Sequence, residues 1–275
     1  YNRNNSSSLS DDFVYDILKD NEGGLWITTY FGGINYSNPN SSNFTIRHCA
    51  TESARGRIIS KFHEDKNGDI FIGTDDGGLF IYNPIKDKCH RYTIDKSNPN
   101  LNIHAIWSND TYLWIGTYSK GLYRINHKTK YVEHIPYFEK DGITNESIYS
   151  IHEDLSGKIW IGTKTAIWTW TKKHGFIKEK ELGYNSDIIA ICEDLKGSIW
   201  FASLNKGILK YTPTTHNITH ISKGSNGIKI PNEITSMSLH MDYLFIGTSG
   251  QGLIKYHIPT ESITKEKCSN IEMEH

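Results

Sequence analysis

A chain of 275 residues with net charge −1 and no clustering of its basic residues is poorly suited to binding nucleic acid by neutralising phosphates. No run approaches the ~20 apolar residues of a membrane helix, and the polar opening from Tyr1 to Asp12 carries no signal-peptide pattern. Aromatic residues at 12% and 23 glycines suit strands and tight turns.

The first turn signal is Asp20-Asn21-Glu22-Gly23, followed by the apolar couplet Leu25-Trp26-Ile27-Thr28. The next stretch is clearer. Ile59 to Asp65 alternates apolar and polar residues, as a half-buried strand does. Asp65-Lys66-Asn67-Gly68 is a tight turn with Gly where a positive φ is required. Ile70-Phe71-Ile72-Gly73-Thr74 is a second strand, Asp75-Asp76-Gly77-Gly78 a second turn, and Leu79 to Tyr82 a third strand. Asn83-Pro84 interrupts the ladder, and Cys89 to Ile94 supplies a fourth strand.

The same order recurs down the chain. The second-strand couplet returns as Leu113-Trp114-Ile115-Gly116-Thr117, Ile159-Trp160-Ile161-Gly162-Thr163, Ile199-Trp200-Phe201-Ala202-Ser203 and Leu244-Phe245-Ile246-Gly247-Thr248. The six central aromatics are 45, 43, 46, 40 and 45 residues apart. The first turn returns at Asp154 to Gly157 and Asp194 to Gly197, and is shortened to Asn109-Asp110-Thr111 and His240-Met241-Asp242 in the third and sixth repeats. Four short antiparallel strands per repeat of this length make a propeller blade. The predicted fold is therefore all-β, a β-propeller of four-stranded antiparallel blades. Six blades are visible, at approximately 13–49, 58–94, 103–135, 148–179, 188–221 and 233–266. They form a single propeller segment over 1–275, expected to belong to a longer seven-bladed or double array, with a free-standing six-bladed ring as the alternative.

A residue that recurs in every repeat is architecture. Trp26, Trp114, Trp160 and Trp200 are accordingly read as packing between neighbouring blades rather than as sugar-stacking platforms, whereas Trp107 and Trp168 fall outside that column. The four cysteines have no zinc-type spacing. A core of this size needs no disulfide framework, and Cys192 is expected as a buried thiol.

Up-and-down connectivity puts the loops joining strands two to three and four to one on one face. The sequence varies most there, and variable loops on a rigid scaffold are the usual place for binding. The candidate ligand-binding residues are Tyr30, Phe31, Asp75, Asp76, Tyr118, Lys120, Lys164, Asn205, Lys206 and Gln251 in the second-to-third turns, with Arg57 and Tyr137 in the blade-to-blade loops. Aromatic rings beside Asp, Lys, Asn and Gln suit a carbohydrate, which offers an apolar ring face and hydroxyls.

Catalytic patterns are weak. Thirteen histidines show no zinc-site spacing, and no nucleophile elbow or phosphate loop is present. His63-Glu64-Asp65, His152-Glu153-Asp154 and Cys192-Glu193-Asp194 occupy equivalent places, which marks them as structural. Asp65-Lys66-Asn67-Gly68-Asp69 lacks the later bidentate Glu of a calcium loop. No catalytic residue, metal site or cofactor is expected.

The pattern D-x-x-G-x-(L/I)-W-I-G-T-x-x-x-G-L, as in Asp154 to Thr163 and Ile115 to Leu122, closely resembles the two-component regulator propeller repeat. The opening Asn4 to Asp12 is similar to that family's linker between blades. The resemblance covers almost the whole chain. It implies the periplasmic sensor region of a hybrid two-component system. Such a region detects an oligosaccharide or similar polar ligand and signals allosterically through a β-sandwich and a transmembrane helix to a kinase. The implied partners are further propeller, β-sandwich and kinase regions of the same chain and a second copy in a homodimer, with no nucleic acid. The chain departs from the family pattern in carrying six repeats and no sandwich, membrane or kinase segment. The rival readings are a propeller lyase of the streptogramin-inactivating type and a protein-binding scaffold.

Overall fold

The computed structural model describes residues 14–20, 23–29, 33–37, 44–47, 58–135, 147–183, 186–249 and 252–266. They form six four-stranded antiparallel sheets, each with its strands in sequence order, the blades of a β-propeller. In the second blade the strands are Ile59–Glu64, Ile70–Thr74, Leu79–Asn83 and Lys88–Tyr92. The one departure from all-β structure among the described residues is a single 3-10 turn, Lys180–Leu182, closed by Gly183 at φ 61°.

The chain divides into two compact units, Tyr1–Ile151 and His152–His275. In the first unit, Trp26 and Ile34 of the first blade pack with Phe62, Ile70, Ile72 and Tyr82 of the second. Phe71 and Leu79 of the second blade pack with Ile103, Ile106, Leu113 and Ile115 of the third. In the second unit, Trp160 and Ile167 pack with Ile191, Ile199 and Phe201, and Trp200 and Ile208 with Met237, Leu244, Ile254 and Tyr256. The core thus lies between blades, as expected. Trp26, Trp114, Trp160 and Trp200 are at most 2% exposed.

Each recurring residue of the couplet has its own task. The turn aspartate reaches six residues ahead to the tryptophan. Asp20, Asp154 and Asp194 accept the indole Nε1–H of Trp26, Trp160 and Trp200 at 2.8, 2.8 and 2.9 Å. Their other carboxylate oxygen accepts backbone N–H groups of the same turn, as Asp194 does from Lys196 and Ser198. The Gly after the couplet lets the next blade approach. A Cβ on Gly73 would meet Ile103 Cγ2 at 2.7 Å, and one on Gly116 would meet Ile148 Cγ2 at 2.5 Å.

One expectation is corrected. Cys89 is disulfide-bonded, whereas Cys192 is free. Cys89 sits on an outer strand whose residues are mostly exposed. Burial adds little there, so a core-based argument against covalent ties does not reach it. Cys192 is partly buried, and burial with the charge of Asp194 pushes its thiol pKa well up.

Candidate functional site

The couplet's threonine builds the turn that follows. Thr74 Oγ1 donates to Gly78 O at 2.8 Å and accepts from Gly77 N at 3.0 Å. Thr117 Oγ1 donates to Gly121 O at 2.7 Å, and Thr163 Oγ1 to Ala166 O at 3.0 Å. In the fifth blade Ser203 Oγ accepts from Asn205 N and Lys206 N. A buried hydroxyl therefore fixes the turn's backbone while leaving the intervening side chains free to differ.

These turns are tied to the chain entering the first strand of the same blade. Asp75 N donates to Ile58 O at 3.0 Å, Tyr118 N to Asn102 O at 2.9 Å and Leu204 N to Asp187 O at 3.2 Å. Second-to-third turns and the starts of first strands therefore share one face, as up-and-down connectivity requires.

The first strands contribute to that face through a feature absent from the sequence reading. In five blades the pairing with the second strand skips one residue: Tyr15, Ser60, His104, Ile189 and Thr235. Each follows the apolar residue that opens its strand and is the extra residue of a β-bulge, a device that re-aims one side chain without disturbing the rest of the ladder. Chemistry changes from blade to blade at this position while the residue before it stays apolar, Val14 in the first blade and Ile in the others. The signal in the sequence is the residue after each opening Ile, as in Ile59-Ser60, Ile103-His104 and Ile234-Thr235, but strict alternation hides it because a bulge adds one residue.

In the first unit these positions assemble a cluster. His104 Nε2 lies 3.0 Å from Asp75 Oδ1, with the two side chains 19% and 25% exposed. The imidazole lies 5.7 Å from the ring of Tyr118 and 5.6 Å from that of Tyr149. Tyr118 is 44% exposed, and its turn is held by Ser119 N donating to Ser147 Oγ at 3.2 Å. The result is a close His–Asp pair between two aromatic rings, one of them open to solvent. It can stack an apolar ring face and bond to hydroxyls.

Of the candidate residues, Asp75 and Tyr118 are brought together by His104. Asp76 and Lys120 are exposed on the same two turns, Lys120 O accepting a hydrogen bond from His134 Nε2 at 2.7 Å. Lys164, Asn205 and Lys206 are exposed on the turns of the fourth and fifth blades, in the second unit. Tyr30, Phe31, Arg57, Tyr137 and Gln251 lie outside the described residues. His104 and Tyr149 are the cluster members that sequence reasoning missed.

The repeated His-Glu-Asp group takes no part in this cluster. Ser108 N donates to His63 Nε2 at 3.0 Å, and the imidazole lies 5.2 Å from the ring of Trp107. A ring nitrogen that accepts an N–H carries no proton, so His63 is neutral and joins two blades. Burial lowers its pKa to about 4 against the opposing charge of Asp65. His152 is lowered to about 4 in the same way, opposed by Asp154. Among the described residues no three of His, Cys, Asp or Glu come together as a metal site, and no helix is long and apolar enough to cross a membrane.

The family model of the two-component regulator propeller matches residues 8–31, so the chain carries that repeat. Histidine kinase P4 of Formosa agariphila is 26% identical over 138 residues, which are 48% of this chain and 10% of that protein. Among solved structures, the extracellular domain assigned to a hybrid two-component system of B. thetaiotaomicron is similar at TM-score 0.72 and 19% identity, covering 90% of this chain and 33% of that one. Virginiamycin B lyase of Staphylococcus aureus is similar at TM-score 0.69 and 14% identity, covering 94% of this chain and 85% of the lyase. At these identities the solved structures establish the shared fold. The chain spans a tenth of the curated relative and a third of the sensor domain.

Proposed function

We propose that this chain, built of two-component regulator propeller repeats, is a ligand-sensing extracytoplasmic propeller region of a hybrid two-component signalling protein. It binds an oligosaccharide and signals allosterically rather than by catalysis. The observation that carries this reading is the Asp75–His104–Tyr118–Tyr149 cluster. It lies on the face where turns and bulged residues vary between blades that are otherwise alike. An open tyrosine ring beside a His–Asp pair matches a sugar's two surfaces. The similarity to an extracellular sensor domain supports the placement outside the cytoplasm. So does the disulfide at Cys89, since such bonds persist in oxidising compartments. Further propeller, β-sandwich and kinase regions of the same chain, and a second copy, are the partners through which the signal would pass.

The test is a thermal-shift panel of neutral and acidic oligosaccharides, followed by calorimetry on any that raise the melting temperature. A ligand present at 100 times its Kd should add about 2.7 kcal/mol to stability. Tyr118→Ala and His104→Ala should weaken that ligand while leaving the fold intact. A panel with no shift on well-folded protein would overturn the oligosaccharide reading and favour a protein-binding scaffold.

A second reading follows from the His104–Asp75 pair, which is also an acid–base pair, and from the similarity to a lyase. It predicts that a bound ligand is converted to product and that His104→Ala abolishes conversion. Recovery of the ligand unchanged after prolonged incubation removes it.

A further inference from the structure

The interface between the second and third blades, inside the first unit, departs from the filling seen at three others. At those, a second-strand Trp meets a third-strand Tyr of the next blade. Trp26 lies 5.4 Å from Tyr82, Trp160 lies 5.9 Å from Tyr211, and Trp200 lies 5.9 Å from Tyr256. Between the second and third blades the corresponding residues are Phe71 and Ile125. Ile125 pairs with Leu113 just as Tyr82 pairs with Ile70 and Tyr256 with Leu244. Both partners are smaller, and the third blade's first turn is shortened as well. A cavity of about 520 Å³ opens there, within the range of small-molecule sites.

Its apolar wall is formed by Phe71, Ile81, Tyr92, Leu113 and Ile125. Its rim carries three carboxylates and three ammonium groups. The carboxylates are engaged. Asp65 accepts Asn67 N, Asp69 N and Asn67 Nδ2, Asp69 accepts Asn83 Nδ2, and Asp110 pairs with Lys66. Lys128 and Lys130 are exposed at the rim, and among the described residues their ammonium groups have no partner. The cavity lies among first-to-second and third-to-fourth turns, at the opposite end of the blades from His104. Unpaired cations above an aromatic-walled cavity are complementary to an anion carried on a flat apolar body.

We propose that this cavity binds a small aromatic carboxylate of one or two rings. The ring occupies the space that Trp and Tyr fill at other interfaces, and the carboxylate meets Lys128 and Lys130. Neither the fold nor the proposed oligosaccharide site requires it.

The experiment titrates the protein with indole-3-acetate and 2-naphthoate by calorimetry, with 2-naphthylmethanol as the uncharged control. Saturable one-to-one binding is expected, weakened at least fivefold for the alcohol. Phe71→Trp restores the residue seen in other blades, six positions after Asp65 as Trp200 is after Asp194. It should abolish binding while keeping or raising the melting temperature. Lys128→Ala with Lys130→Ala, both on the surface and safe for folding, should weaken binding at least fivefold. His104→Ala should leave it unchanged, which separates this site from the other. No binding of either carboxylate overturns the proposal. So does binding that persists in the double lysine variant, which decides the matter even if Phe71→Trp fails to fold.

Discussion

Asp194 Oδ2 accepts the indole Nε1–H of Trp200 at 2.9 Å while its Oδ1 accepts Lys196 N and Ser198 N. One buried carboxylate thus joins the tip of a turn to the largest side chain in the blade interface. Trp200→Phe keeps most of the packing and removes the N–H, and should cost about 1–2 kcal/mol. Asp194→Ala strands three donors and should cost about 3–5 kcal/mol. The double variant should cost clearly less than the sum, because both changes remove the same bond. Urea unfolding of the four proteins measures the coupling, and strict additivity would show that the bond contributes nothing.

That relationship marks how far the sequence could be read. The repeat, the four-strand blade and the burial of the tryptophans were legible because period, turn residues and apolar couplets are local signals. The Asp and Trp were visible six residues apart, but their bond was not, since it depends on the turn folding the chain back. The face shared by the second-to-third turns and the starts of first strands was legible from connectivity, and the structure places Asp75 and Tyr118 on it. His104 was not legible, because the bulge at that position breaks the alternation used to assign strand faces, and Tyr149 was not, because its approach to His104 depends on how neighbouring blades pack. The Phe71 and Ile125 replacements were equally visible letter by letter. Their joint effect needed the knowledge that the two columns face each other across an interface.

The Gly of the couplet gives a second prediction. A methyl on Gly116 would sit 2.5 Å from Ile148 Cγ2 and 2.8 Å from Ala105 Cβ, closer than real contacts allow. Gly116→Ala should therefore destabilise by about 1–3 kcal/mol through overpacking. The fifth blade carries Ala202 at this place, fully buried, so its surroundings already hold a methyl. Ala202→Gly should cost about 1 kcal/mol by the opposite route, lost burial and added chain freedom. Thermal unfolding of the two variants checks both signs, and a stabilised Gly116→Ala protein would refute the close-approach argument.

A third prediction concerns Thr117, which holds the turn bearing Tyr118 through its bond to Gly121 O. Thr117→Val keeps the shape and leaves that carbonyl short of a donor, so stability should fall by about 1–2 kcal/mol. The informative readout is ligand affinity. If the turn presents Tyr118 to the ligand, affinity should drop several-fold in Thr117→Val and approach that of Tyr118→Ala. An unchanged affinity in both would remove Tyr118 from the site.

Acid should weaken the fold through its neutral histidines. His63 and His152 are each lowered to about 4, mainly by burial, whereas an unfolded histidine titrates near 6.5. Between those values the unfolded chain holds more protons than the native one, so stability rises with pH across the window. It is complete above about pH 6.5 and is lost as the pH falls toward 4, by up to about 3 kcal/mol for each histidine. Melting temperatures at pH 7.5, 6.5, 5.5 and 4.5 should decline mostly between the last three. His63→Gln removes one titrating group, so its curve should start lower at pH 7.5 yet fall less steeply. Parallel curves for the two proteins would mean that His63 takes up its proton in the folded state as readily as in the unfolded one. The acceptor role of its Nε2 toward Ser108 N could not then hold.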